Sequence, residues 1–365
     1  MTTASVSAPT GALSSGRLPK GTAWAVLAGA FVLSAIIFAF ANASGEVADF
    51  NIAGTLFVGM LIYLAAIMIL SSIAESRRHA TDRLMTGLVS TAFVIACLPL
   101  VSVLWTVIVS GLARFDAEFF SFSMRNITGE GGGAVHAIWG TLIITGLATV
   151  ISVPIGLMTS IYLVEYGRGG RLAKAITFFV DVMTGIPSIV AGLFIYSVFA
   201  LIIGPGVRMG IMGALALSVL MIPVVVRGSE EMLRIVPNEL REASYALGVP
   251  KWLTIVKVVL PTSIAGITTS IMLSIARVIG ETAPLLLTAG YTNNLQLSPF
   301  EESNGQMMTL PVYAYTQYMY PNAANPDASL DRAWAAALTL IVIVMALNLL
   351  ARLIAKVFAP KMSGR

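Results

Sequence analysis

Eight runs of predominantly apolar residues, most of them 20 residues or longer, dominate this chain of 365 residues. They cover residues 22–42, 52–72, 86–110, 136–163, 174–201, 210–226, 262–289 and 333–357. A segment crossing a bilayer as a helix needs about 20 such residues. In lipid every backbone hydrogen bond must close within the segment, so each run is read as a helix. None alternates apolar with polar residues, which excludes an outer-membrane barrel. The expected fold is an all-α polytopic membrane protein of about eight transmembrane helices. The sixth run is the shortest and holds Pro223, so its edges are the least defined.

Composition agrees with this reading. Only 11% of residues are charged and 57% are hydrophobic, against about 25% charged in an ordinary soluble domain. A soluble enzyme, a disordered chain and a coiled coil are thereby excluded. The single cysteine, Cys97, cannot form an intrachain disulfide. His79 and His136 lie far apart with no thiol or carboxylate cluster beside them, so no metal site is visible.

Basic residues fall unevenly between the connections. With the N-terminus placed inside, 17 of the 22 Lys and Arg lie on the inner side. Arg114, Arg125, Arg208 and Arg332 fall outside, and Arg277 lies within a run. The positive-inside rule then makes both termini cytoplasmic. The first apolar run exceeds the 7–15 residues typical of a signal-peptide core and is read as a retained helix. Residues 1–21 and 358–365 are read as cytoplasmic tails, 22–85 as two N-terminal spans, and 86–357 as the core. Within the core, 227–261 is a cytoplasmic loop and 290–332 an external one. Gly131-Gly132-Gly133, in the external segment 111–135, reads as a flexible tether.

The most expensive residues are Arg277 and Glu281, both in the seventh run, with Arg277 near its middle. A charge at bilayer depth costs roughly 2.5–3.5 kcal/mol on insertion scales. Four residues apart on one helix, the two would share a face and pair. Ser263, Gly266, Ser270, Ser274, Arg277, Glu281, Pro284 and Thr288 continue the pattern at three- and four-residue steps. Such a stripe either packs closely on another helix or lines a watery path. The functional reading is an anion path, with Arg277 attracting and Glu281 holding it in place. A guanidinium suits an oxyanion because it donates paired hydrogen bonds. Asp181 lies in the fifth run ahead of Gly185-Ile186-Pro187, where a break or kink is expected. Its role is structural or on the path.

The cytoplasmic loop holds Glu242-Ala243-Ser244-Tyr245-Ala246-Leu247-Gly248, nine residues, then Val258-Val259-Leu260-Pro261. Asn238 is placed to cap a short helix over Glu239–Leu247, and Gly248 to end it. This segment resembles the EAA signature of ABC-importer permeases, E-A-A-x-x-x-G, nine residues, I-x-L-P. Ser244 stands for the second Ala and Val258 for Ile. Four further segments narrow the resemblance. They are Pro154-Ile155-Gly156 with Ile161–Tyr166, Gly185–Leu193, Arg277–Leu286 and Met308–Val312. Together they resemble PstA-type permeases of bacterial phosphate ABC importers over roughly residues 90–360.

That resemblance implies a six-span permease core in the bacterial plasma (inner) membrane; the two N-terminal spans are extra to it, and extra membrane scaffold is the plain reading of them. It implies a heterodimer with a PstC-type permease, two copies of an ATPase subunit and an extracytoplasmic phosphate-binding protein. It implies that Glu242, Ala243, Ser244, Gly248, Leu260 and Pro261 form the ATPase-coupling element. It places Arg277 and Glu281 on the phosphate path, where the stripe adds Ser270 and Ser274. The chain has no G-x-x-x-x-G-K-[ST], so it is not expected to be an enzyme or to hold a cofactor. ATP and Mg belong to the partner ATPase. A permease for sulfate or molybdate is the nearest alternative, and an ion-coupled secondary transporter a more distant one. The external segment 290–332 is either a contact for the binding protein or, through Tyr313, Tyr315, Tyr318 and Tyr320, an interfacial aromatic belt.

Overall fold

The computed structural model describes residues 18–19, 21–43, 51–127, 129–167, 169–301 and 305–358. The terminal tails expected from the sequence lie almost wholly outside these residues. Among the described residues there is no strand. The chain forms two compact units, divided between Leu104 and Trp105.

The first unit holds α1 (Thr22–Ala43), α2 (Ile52–Ala74) and most of α3 (Arg77–Leu112). α1 and α2 form a hairpin whose seam is narrow. The Ser34 hydroxyl donates to the Thr55 carbonyl at 2.7 Å, and a Cβ on Gly59 would sit 2.5 Å from the Phe31 ring. Lipid tails are as apolar as leucine, so helices in a bilayer associate through such close packing rather than by escaping water. At the end of α2, Glu75 accepts from the Leu18 amide at 2.8 Å, Ser71 at 2.7 Å and Arg83 at 2.8 Å. α3 has 36 residues, or about 54 Å of helix, and outreaches the roughly 30 Å hydrocarbon layer. The sequence boundary at residues 85 and 86 falls inside it.

The second unit follows with α4 (Ala117–Ser121) and α5 (Val135–Ile161), which runs into a π-helical turn, Tyr162–Tyr166. Next come α6 (Arg171–Thr184), α7 (Ser188–Ile202), α8 (Gly210–Ile235) and α9 (Asn238–Ala246). α10 (Lys251–Thr254), a second π-helical turn (Ile255–Val259) and α11 (Leu260–Val278) form one continuous rod. α12 (Ala283–Thr288), α13 (Leu310–Met319) and α14 (Pro326–Phe358) complete the chain.

α8 is the centre of this unit. Leu217, Met221 and Val225 are completely buried in one cluster with Ile144 and Ala148 of α5, Val278 of α11 and Ala289 just past α12. Gly140 lets the segment before α13 cross α5, since a Cβ there would lie 1.8 Å from the Met308 carbonyl oxygen.

Seven helices among the described residues are long and apolar enough to cross a membrane, eight if one bent pair is a single span. That pair is α6 and α7, turned by 107° at Gly185-Ile186-Pro187. The break expected from Gly and Pro is thus a sharp corner.

Three expectations change. The sixth run does not stop at residue 226: α8 continues to Ile235 with Pro223 inside it. The loop read as cytoplasmic is correspondingly shorter, because residues 251–261 already belong to the rod that becomes α11. The seventh run is not one helix. It ends at Val278, opens over residues 279–282 and restarts as α12.

Candidate functional site

The EAA-like segment builds a short lever. α9 begins after Pro237, which occupies the cap position expected for Asn238. It stops at Gly248, whose φ of +75° is the left-handed conformation that glycine adopts without strain. The Gly248 amide donates to the Tyr245 carbonyl at 2.9 Å and the Val249 amide to the Ser244 carbonyl at 3.2 Å. These two bonds are the Schellman arrangement that closes a helix. Pro250 then starts α10. Ser244 is buried, and its hydroxyl lies 2.8 Å from that of Thr254 in α10. Glu242, Ala243 and Gly248 are exposed, as a docking face requires, whereas Leu260 and Pro261 are half-buried at the base of α11.

Arg241, in the same helix, was not among the expected site residues. Its Nε and Nη2 reach Glu165 at 3.0 and 2.9 Å. Nη1 donates to the Val236 carbonyl at 2.6 Å, and Nη2 to the Leu233 carbonyl at 2.9 Å. Lys251 donates to the Glu165 carbonyl and stands 4.8 Å from the centre of the Tyr166 ring. At this same end Asp181 pairs with Arg227, which is 2.8 Å from Glu230; Arg234 meets Glu230 at 2.7 Å. Asp181 therefore ties α6 to α8.

The small-residue stripe divides along its length. A Cβ on Gly228 of α8 would lie 1.6 Å from the Ser270 hydroxyl, and one on Gly266 would lie 2.2 Å from the Met232 sulfur. Ser263 and Ser274 are buried, and the Ser274 hydroxyl returns to the Ile271 carbonyl at 2.6 Å. Residues 263–274 thus serve close packing. Arg277 leaves this seam. It stands exposed in the last turn of α11, where a cation suits the helix dipole. Glu281 is half-buried in the break. The two do not share a helix face, because the helix has ended between them. Among the described residues neither side chain has an ion-pair or hydrogen-bond partner.

On the other face the glycine run is latched rather than free. Arg332 is only 1% exposed. Its guanidinium donates to the carbonyls of Gly129 and Gly131 at 3.1 and 2.9 Å, to Gln317 at 3.1 Å and to Ser329 at 3.1 Å. Arg114 donates to the Gly132 carbonyl at 2.9 Å, and the Gly132 amide donates to Glu118 at 2.9 Å. Asp116 caps α4 by accepting from the Phe119 amide at 2.8 Å, which holds its carboxyl below the usual range. A Cβ on Gly133 would meet the Phe119 carbonyl at 2.3 Å, so bulk is excluded there. The tyrosines of the segment read as external also separate. Tyr313 is completely buried, edge-on to His136 at 5.4 Å, whereas Tyr318 and Tyr320 are exposed.

Residues 152–364 match the family described as "Binding-protein-dependent transport system inner membrane component". This chain belongs to that family. The matched residues include the lever, the seam and the break. The "Phosphate transport system permease protein PstA 1" of Mycobacterium tuberculosis (strain CDC 1551 / Oshkosh) is 48% identical over 282 residues, 76% of this chain and 90% of that protein. The PstA of Pasteurella multocida is 38% identical over 287 residues, 78% and 97% of the two chains. In fold, the chain resembles the MetNI methionine ABC transporter in an inward-facing conformation. There the TM-score is 0.50 at 20% identity, over 62% of this chain and 95% of that one. A bacterial alginate ABC transporter gives a TM-score of 0.50 at 14% identity, over 74% and 93%. The permease fold expected from the EAA spacing is therefore the fold of this family member. It is a multi-span component of an inner-membrane transport system.

Proposed function

We propose that this chain is the permease subunit of an ATP-driven importer that carries inorganic phosphate across the plasma membrane. The observation that carries the reading is Arg277. It presents an unpartnered guanidinium at a helix break, in a chain whose relatives are phosphate transport permeases. A free guanidinium offers paired N–H donors to an oxyanion. Its exposure suits brief contact with a passing anion, and tight binding would halt transport. Glu281, in the adjoining break, belongs to the same path. Ser270 and Ser274 make packing contacts in this conformation, which leaves the path to Arg277 and Glu281.

The exposed face of α9 would enter a cleft on a separate ATPase, with Glu242, Ala243 and Gly248 outward and Ser244 turned in. ATP and Mg would be held by that subunit, present in two copies, with no cofactor in this chain. A PstC-type permease would complete the pathway, and an extracytoplasmic binding protein would deliver phosphate. Both termini would face the cytoplasm.

The test is uptake of radiolabelled phosphate by proteoliposomes holding all four components, with sulfate as competitor. Uptake that needs ATP and ignores sulfate supports the reading, and Arg277→Ala should abolish it while the complex still assembles. Inhibition by sulfate would point to a wider oxyanion permease. Uptake by this chain alone, without ATP, would point to a secondary transporter.

A further inference from the structure

We infer that Glu165 and Arg241 form a positioning clamp through which the lever drives α5 directly, in addition to its covalent link to α11. The inference rests on the importer reading above and goes beyond it.

The clamp lies where four elements end. Glu165 sits in the π-helical turn that closes α5, and its side chain is 5% exposed. Arg241 comes from α9, with a side chain 11% exposed. Besides its two bonds to Glu165, Arg241 donates to the carbonyls of Leu233 at 2.9 Å and Val236 at 2.6 Å and to Asn238 Oδ1 at 3.3 Å. The Leu233 and Val236 carbonyls lie at the C-terminal end of α8, where helix geometry leaves acceptors without internal partners. Lys251, opening α10, donates to the backbone of Glu165. The carboxylate and the guanidinium thus tie α5, α8 and α9 together, and Lys251 adds α10 through the Glu165 backbone.

A buried ion pair whose guanidinium is also held by backbone carbonyls is suited to transmission. Separating it would strand a charge away from water, so the partners stay together while their surroundings move. Both rods that meet the lever also carry π-helical turns at this end, Tyr162–Tyr166 and Ile255–Val259. Such turns are rare and recur at functional sites. A push on α9 therefore reaches the core by two routes. One runs through α10 into α11, and the other through Arg241 and Glu165 into α5, which packs on the central α8.

The test uses the complete importer in proteoliposomes and reads phosphate taken up per ATP hydrolysed, at matched amounts of assembled complex. Glu165→Gln should cut uptake about tenfold while ATP hydrolysis stays within about twofold of wild type, the size of a typical coupling between sites. A proportional fall in both, or no change in either, overturns the inference.

A second measurement does not depend on that variant folding. Val164 and Tyr245 line one cavity of about 450 Å³ between the π-helical turn and α9. Val164→Cys and Tyr245→Cys, in a Cys97→Ala background, would be bridged across it by a bis-maleimide. If the two ends move as one body, the bridged importer keeps its uptake per ATP. Loss of uptake on bridging, with each singly labelled variant active, overturns the clamp. A wild-type complex that hydrolyses ATP but moves no phosphate counts against the proposed substrate instead. The clamp is then still read from ATP hydrolysis stimulated by the binding protein, before and after bridging.

Discussion

The hydroxyls of Ser244 and Thr254 meet at 2.8 Å across the elbow between α9 and α10, both buried. The position where the EAA signature has its second alanine thus carries a serine that has a partner. Removing one hydroxyl leaves the other buried and less well satisfied, which costs about 1–3 kcal/mol. Ser244→Ala should therefore lower the melting temperature of the purified complex. Pairing it with Thr254→Val removes both polar groups and should restore part of the loss. A double-mutant cycle on thermal unfolding checks this, and strictly additive losses would show that the hydroxyls do not interact.

Arg332 should matter to the face that holds the glycine run as much as any residue there. Arg332→Met keeps much of the volume but strips donors from the carbonyls of Gly129 and Gly131. Losing charge-assisted hydrogen bonds of this kind costs about 1.5–3 kcal/mol each. The expected result is faster proteolytic cleavage near residues 129–133 and a lower melting temperature. Cleavage at the wild-type rate would mean that Arg114 and Glu118 hold the loop by themselves.

Asp116 gives the same loop a pH dependence. The Phe119 amide holds its folded pKa below the ordinary 3.8; burial, the next largest effect, opposes this, and Arg114 adds to the lowering. A carboxyl depressed on folding stabilises the folded state above its unfolded pKa and loses that contribution as pH falls through the folded value. Protection from hydrogen exchange around Asp116 and Phe119, taken relative to the unfolded chain at each pH, should therefore be unchanged between neutral pH and about 5 and should fall below about 4. Asp116→Asn should show weaker protection already at neutral pH and little further change on acidification.

Much of this was legible in the sequence. Apolar runs located the spans because lipid admits few alternatives, and Gly185-Ile186-Pro187 marked the corner between α6 and α7. The spacing from Glu242 to Pro261 marked the lever. Hydropathy could not show that α11 ends at Val278, since Ile279 and Gly280 are as apolar as a helix interior. It also ended α8 too early. The charges from Arg227 to Arg234 read as loop, yet three of them pair with one another or with Asp181 along a continuing helix. Glu165 and Arg241 are 76 positions apart, and no local spacing joins them. Arg332 and the glycine run lie still farther apart in sequence. Three successive glycines read as flexibility, whereas two arginines fix the carbonyls of Gly131 and Gly132.

The seam between α8 and α11 offers a steric test of the packing reading. A Cβ at Gly228 would lie 1.6 Å from the Ser270 hydroxyl and 2.8 Å from its Cβ. Both contacts are far inside van der Waals range, and the Ser270 rotamer alone cannot relieve the second. Gly228→Ala should therefore force the helices apart, at a cost of typically 1–3 kcal/mol for overpacking. Less assembled complex should be recovered from the membrane. Ser270→Gly removes both clashing atoms and should restore assembly when combined with it. Restored assembly together with normal phosphate uptake would show that the Ser270 hydroxyl is dispensable for transport. Restored assembly with uptake still lost would return Ser270 to the path beside Arg277.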